Sequence, residues 1–159
     1  MNIERKIQLA ESNFKRVNEW ISNSDKKVGI AIAFQGGLLA FLATNKTSDI
    51  KNIIDSGVED NAHSLLYLSL ILFTIFIIRA AYYSFKTLYP DITTREFSLF
   101  FFGSIISIGQ RRFKREFSKL TDEEALDDLN NQVYINSDIV SKKFINVKNA
   151  IENTIYSII

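Results

Sequence analysis

Apolar and polar positions along the chain fall into two greasy runs and two amphipathic stripes. The longer run, Leu65 to Phe85, carries one charge, Arg79. A bilayer core is about 30 Å thick and needs about 20 residues at about 1.5 Å each, so this run is long enough to cross alone. A soluble helix of that length shows a wet face, whereas Leu65, Leu66, Leu68, Leu70, Ile71, Leu72, Phe73, Ile75, Phe76, Ile77 and Ile78 point in every direction. A buried helix in a globular core would need more apolar elements around it than 159 residues supply. Residues 65–85 are therefore predicted as a transmembrane helix. The shorter run, Val28 to Asn45, has no charge and makes about 27 Å of helix. It is predicted as transmembrane helix 1, residues 28–45.

Before the first run, Ile3, Ile7, Ala10, Phe14, Val17, Ile21 and Val28 recur at alternating four- and three-residue steps, with Ser24 filling the missing position. This is the seam of a coiled coil or tight helix pair. Residues 1–27 are predicted as a cytoplasmic amphipathic helix continuous with the first span. One such stripe needs a partner, either the C-terminal helix or a second copy of the chain. A matching stripe closes the sequence. Thr121 to Glu124 reads as a capping box. After it, Leu126, Leu129, Val133, Asn136, Val140, Phe144, Val147, Ile151, Ile155 and Ile158 recur every three or four residues. A long helix over 121–159 is expected, within a cytoplasmic region 86–159.

The connection 46–64 balances Lys46 and Lys51 against Asp49, Asp55, Glu59 and Asp60, while Lys15, Arg16, Lys26, Lys27, Arg79, Lys86 and Arg95 flank the other side. That asymmetry places both termini in the cytoplasm and 46–64 outside, with His63 a surface residue of the loop. Arg79 reads either as a snorkelling side chain or as a charged ring at a pore mouth. Tyr82, Tyr83 and Tyr89 form an interfacial belt, and Pro90 ends the helix. The apolar stretch Glu96 to Gly109 is too short to span, leaving a buried cytoplasmic segment or one lying in the interface. The cations that follow, Arg111, Arg112, Lys114 and Arg115, suit anionic lipid or a phosphate ligand.

Composition narrows the chemistry. With 19 Lys and Arg against 18 Asp and Glu, wholesale coating of nucleic acid is disfavoured. There is no Cys and a single His, so thiol catalysis, Ser-His catalysis and Cys-based zinc sites fall away. The first twenty residues are charged and amphipathic, unlike a cleaved secretory signal. One Pro and six Gly agree with long helices. No nucleophile-base set, phosphate-binding Gly loop or metal cluster is present, so no enzyme, cofactor or metal is expected. Asp25 with Lys27 reads as an ion pair where the helix meets the membrane.

Within the first span Gly29, Ala31, Ala33, Gly36, Gly37, Ala40 and Ala43 make one side small, which lets membrane helices approach closely. Gln35 sits among them, either as an interhelical hydrogen-bonding residue or as part of a hydrated path. The expected fold is an all-α membrane protein: a two-helix transmembrane hairpin with long cytoplasmic N- and C-terminal helices forming a bundle. Its seam holds Ile7, Phe14, Val17 and Ile21 against Leu129, Val133, Asn136 and Val140.

Several motifs carry a resemblance. Trp20-Ile21-x-x-x-Asp25-x-Lys27-x-Gly29 leads into Gln35-Gly36, followed by Tyr89-Pro90 and Phe102-Gly103-Ser104-Ile105. The last is Gln132-Val133-Tyr134-x-Asn136-Ser137-x-Ile139-x-x-x-Lys143-Phe144, with Lys148 and Ala150. In this order they resemble the Pycsar-type two-span effectors of bacterial anti-phage defence, related to CBASS and Hailong membrane effectors. Val28 and Phe144 depart from the pattern, which has Ala and Tyr there.

The resemblance implies a bacterial inner-membrane effector controlled by a nucleotide or short oligonucleotide messenger made by a neighbouring nucleotidyltransferase or cyclase. It implies a homo-oligomer, such as a tetramer, that permeabilises or depolarises the membrane and halts the infected cell. One hairpin cannot enclose a water path, so a pore requires several copies. Gln35 and Gly36 are expected at or near the axis, with Leu38, Leu39 and Leu42 as a dewetting gate. An anionic ligand is expected on Arg111, Arg112, Lys114, Lys142 or Lys143, the last two of which equally suit a solvated helix face. The competing reading is a non-conducting membrane adaptor whose helical bundle recruits a partner protein.

Overall fold

The described elements are all helical. In the computed structural model, which describes residues 1–45, 48, 51, 52, 55, 60–89 and 97–159, they are α1 (Ile3–Asn45), α2 (Asp60–Leu88), α3 (Phe102–Phe117) and α4 (Asp122–Ile158). Pro90, Arg95 and most of the 46–64 connection lie outside the described residues. The chain divides into two compact units, one built from Met1–Ser24 and Pro90–Lys143, the other from Asp25–Tyr89 and Phe144–Ile159. Helices α1 and α4 contribute to both.

In the first unit α1 and α4 share a seam of buried and half-buried residues. Ala10, Val17 and Ser24 are buried along α1, with Ile3, Ile7, Phe14 and Ile21 half-buried beside them. On α4 Leu129, Gln132 and Val140 are buried, and Val133 and Asn136 are half-buried. The two helices meet at a polar pair, the Asn136 side-chain amide Nδ2 donating to Asn18 Oδ1 at 2.9 Å. A polar pair in such a seam fixes register at some expense of stability.

Local chemistry sets the ends of these helices. Asn2 Oδ1 accepts from the Arg5 N–H at the start of α1. At the start of α4 the capping box is reciprocal: Thr121 Oγ1 accepts from the Glu124 N–H, and Glu124 Oε2 accepts from the Thr121 N–H at 2.9 Å. These bonds to the charged form hold the Glu124 carboxyl below its ordinary value.

The stretch before α3 is tied down through its backbone. Asp128 Oδ2 accepts from the Leu99 N–H at 2.8 Å, Ser98 Oγ from the Phe100 N–H, and Ser104 Oγ from the Ser98 N–H. Ser98 and Leu99 are buried, whereas Phe102 and Ile106 are exposed. Gly109 breaks α3 with φ 74° and ψ 159°, a conformation essentially confined to glycine. The apolar first half of α3 is thereby separated from its basic second half.

The second unit is built the other way round. Each of the two apolar helices, α1 and α2, has a window long and apolar enough to cross a membrane, and only 11% of either window is buried. A core helix of a soluble protein would be mostly covered. Ile30, Phe34, Leu39, Phe41, Leu65, Leu68, Ile71, Leu72, Ile75 and Ile78 face outward, while Ser84, Thr87 and Gln35 face inward with Val28, Ile77 and Ala80. Large apolar groups outside and small or polar ones inside is the arrangement that lipid, rather than water, selects.

The end of α4 follows the same inverted rule and departs from the sequence expectation. Ile151, Ile155 and Ile158, taken as seam positions, are exposed, and Ala150, Asn153, Thr154 and Ser157 are buried instead. The helical period is kept, but the opposite face is turned inward. Small and hydroxyl side chains pack against the two apolar helices, and their hydroxyls bond within the helix, as Thr154 Oγ1 to the Ala150 carbonyl and Ser157 Oγ to the Thr154 carbonyl.

Candidate functional site

The second unit holds a buried polar node. Gln35 Nε2 donates to Thr154 Oγ1 at 2.9 Å and to Ser84 Oγ at 3.3 Å, linking α1, α4 and α2. Among the described residues no buried side-chain nitrogen or oxygen lacks a partner. Away from water an unsatisfied amide is costly, so this satisfaction is what permits Gln35 at that depth. At the base of the unit the Lys27 ammonium lies over the Phe144 ring, 5.1 Å from its centroid, and higher up the Phe76 and Tyr156 rings tilt together at 5.7 Å.

Around Gln35 the other residues expected near a pore divide by face. Leu38 and Leu42 are half-buried, and Gly36 and Leu39 are exposed. A Cβ added at Gly29, Gly36 or Gly37 meets nothing within 4 Å. Ala33 and Ala40 share that exposed side. Within one protomer the small-residue face of α1 is therefore uncovered. Gln35, by contrast, is turned into the protomer.

The first unit contains an open cleft of about 580 Å³, in the size range of small-molecule sites. Its walls include Phe97, Leu99 and Leu120, the cations Arg112 and Lys119, the amide of Asn131, and four carboxylates. Three of those carboxylates already have partners: Asp128 holds the Leu99 N–H, Glu124 holds Thr121, and Glu116 sits 3.0 Å from Arg115. Arg112 also approaches Glu116, at 3.9 Å.

Of the five cations expected to hold an anionic ligand, only Arg112 lines this cleft. Arg111 and Lys114 are exposed on α3. Lys142 pairs with Asp138 at 2.7 Å on its own helix, and Lys143 is half-buried. Lys142 stands 11 positions beyond Asn131, about 16 Å along α4, which separates it from the cleft. Lys119 was not singled out from the sequence; it follows the cluster and becomes relevant only because the turn into α4 brings it to the same wall as Arg112. Thr154 and Ser84 were missed for another reason, since hydroxyls inside apolar helices carry no periodic signal.

Among the described residues no group of three His, Cys, Asp or Glu could hold a metal ion. No solved structure matches the chain. In sequence it is similar to the Pycsar effector protein GmPycTM of Gulbenkiania mobilis, 28% identical over 169 aligned residues that cover 91% of this chain and 86% of that protein. Residues 9–159 match the Pycsar effector protein domain, which takes in both apolar helices, the polar node and the capped α4. The chain thus belongs to the Pycsar effector protein family, membrane effectors linked to nucleotide signalling rather than enzymes.

Proposed function

We propose that the protein is a homo-oligomeric membrane effector whose assembled helices form a pore in the bacterial inner membrane, switched by a nucleotide or oligonucleotide messenger. The observation that carries this reading is the uncovered face of α1, where Gly29, Gly36 and Gly37 meet only open space in the protomer. Small residues on a lipid-facing helix favour close contact with another helix. A second copy supplies one. Cyclic association through this face brings Gly36 and Leu39 toward an axis, with Leu38 and Leu42 at its edge, while Gln35 holds the protomer's own helices in place behind them. The seam residues Ile7, Phe14, Val17 and Ile21 with Leu129, Val133, Asn136 and Val140 keep the first unit together.

For the messenger, the cleft offers Arg112 and Lys119 to a phosphate and the Phe97, Leu99 and Leu120 wall to a flat apolar ring. Arg111 and Lys114 add positive potential from the neighbouring turn. Lys142 and Lys143 act in the helix surface. A ligand that takes a switch from 1:99 to 99:1 must prefer one state by about 5.5 kcal/mol, which symmetry-related sites share.

The test is dye or ion flux from liposomes carrying the purified chain, with and without candidate cyclic mononucleotides and short oligonucleotides. Messenger-dependent flux is expected. Tight vesicles under every condition, with the protein correctly inserted, would overturn the pore and leave the non-conducting adaptor.

A further inference from the structure

The tail of α4 behaves as part of the membrane unit. We infer that Phe144–Ile159 is a third membrane-embedded segment, entering the bilayer beside the two spans with its isoleucines in hydrocarbon. Lipid acyl chains are thus the occupant of its outer face.

Two contacts set the depth. Thr154 accepts from Gln35, which lies seven residues, about 10 Å, inside the uncharged run that begins at Val28. The Tyr156 ring meets that of Phe76 in a tilted contact, near the middle of the run Leu65 to Phe85. If those runs cross the bilayer, residues 154–156 share their depth. At the other end, Phe144 lies under the Lys27 ammonium, where charge returns to α1.

The two faces of the tail agree with this depth. Inward are Val147, Ala150, Asn153, Thr154 and Ser157; outward are Ile145, Ile151, Ile155, Tyr156 and Ile158. In water that orientation would expose the apolar stripe and bury the polar one, the reverse of what the hydrophobic effect selects. The outward stripe continues the exposed apolar surface of α1 and α2, so one lipid annulus covers all three. Lys148 and Glu152 are the charges on this segment; they neutralise each other as an i,i+4 pair at 3.6 Å, and Lys148, nearer the end at Phe144, has a stem long enough to snorkel.

This inference rests on the two spans lying in the bilayer, and the experiment separates the two claims. The chain has no Cys, so single cysteines report without background. Ile75→Cys marks α2, Ile155→Cys and Ile158→Cys mark the tail, and Lys142→Cys marks a water-exposed site. Each full-length variant is placed in vesicles of phosphatidylethanolamine and phosphatidylglycerol and treated with a water-soluble maleimide. Attack requires the thiolate, which hydrocarbon suppresses, so labelling at 75, 155 and 158 is expected to be slower than at 142 by roughly tenfold or more. Fast labelling at 155 and 158 with Ile75→Cys protected overturns the tail inference alone; fast labelling at 75 overturns the spans themselves. A tryptophan placed by Ile155→Trp in a Trp20→Phe background should be quenched by dibrominated lipid. Protection without quenching would assign the face to a second copy and overturn lipid.

Discussion

The Gln35 side-chain amide donates to Thr154 Oγ1 at 2.9 Å, across 119 positions of sequence. The bond joins the first apolar run to the last turns of α4 at a depth where neither group has water as an alternative. Ser84 accepts the same amide from α2, so one glutamine ties three helices.

Removing that amide should loosen the second unit. Hydrogen bonds between membrane helices contribute about 0.6 kcal/mol on average, and two are lost in Gln35→Ala, for a destabilisation of about 1 kcal/mol before packing changes. Thr154→Val should cost less and should be non-additive with Gln35→Ala. Unfolding in detergent measures both; full additivity would mean the contact carries no coupling energy.

Gly36 and Gly109 should respond oppositely to alanine. Gly36 is helical and open to space, so Gly36→Ala gains about 0.8–1 kcal/mol of helix propensity in an isolated protomer. If that face joins protomers, the same methyl weakens the oligomer, a shift that cross-linking or sedimentation in detergent would register. Gly109→Ala meets no neighbour but is forced at φ 74°, which should cost about 1–3 kcal/mol and lower the melting temperature.

Leu39 faces away from the protomer core and has no carboxylate near it in sequence. Leu39→Asp should change conductance or ion preference if the residue faces a shared axis, because a ring of carboxylates attracts cations. Single-channel currents indistinguishable from the parent would remove Leu39 from the axis.

Acid should weaken the start of α4. Glu124 is held below its usual value of 4.5 by the Thr121 N–H and hydroxyl, so its contribution is complete above 4.5 and fades as pH falls through the lower folded value. Glu124→Gln should melt earlier than the parent at pH 7, with the gap closing at lower pH, whereas Thr121→Ala, which also loses the bond from the Glu124 N–H, should keep part of its gap. A gap that stays constant down to pH 3 would mean that another group dominates the acid response.

For the cleft, Arg112→Ala and Lys119→Ala should weaken the response to an anionic messenger while leaving folding intact, since both side chains lie on an open wall. Lys142→Ala, whose ammonium is occupied by Asp138, serves as the contrast and should have little effect on messenger affinity.

Much of this molecule follows from local order in the sequence. Thr121 and Glu124 name the start of α4 because a cap is a contact across three residues, and Leu65 to Phe85 names a helix long and apolar enough to cross a membrane because it carries a single charge, Arg79. The stripe through Ala10, Val17 and Ser24 is likewise a matter of period. What tertiary structure alone decided was the direction of the stripe at the far end of α4. A period of three and four groups Ile151, Ile155 and Ile158 on one face and Ala150, Thr154 and Ser157 on another, but it carries no sign. Water alone would bury the isoleucines; packing against α1 and α2 buries the threonine instead, because Gln35 there offers Thr154 a hydrogen-bond partner inside.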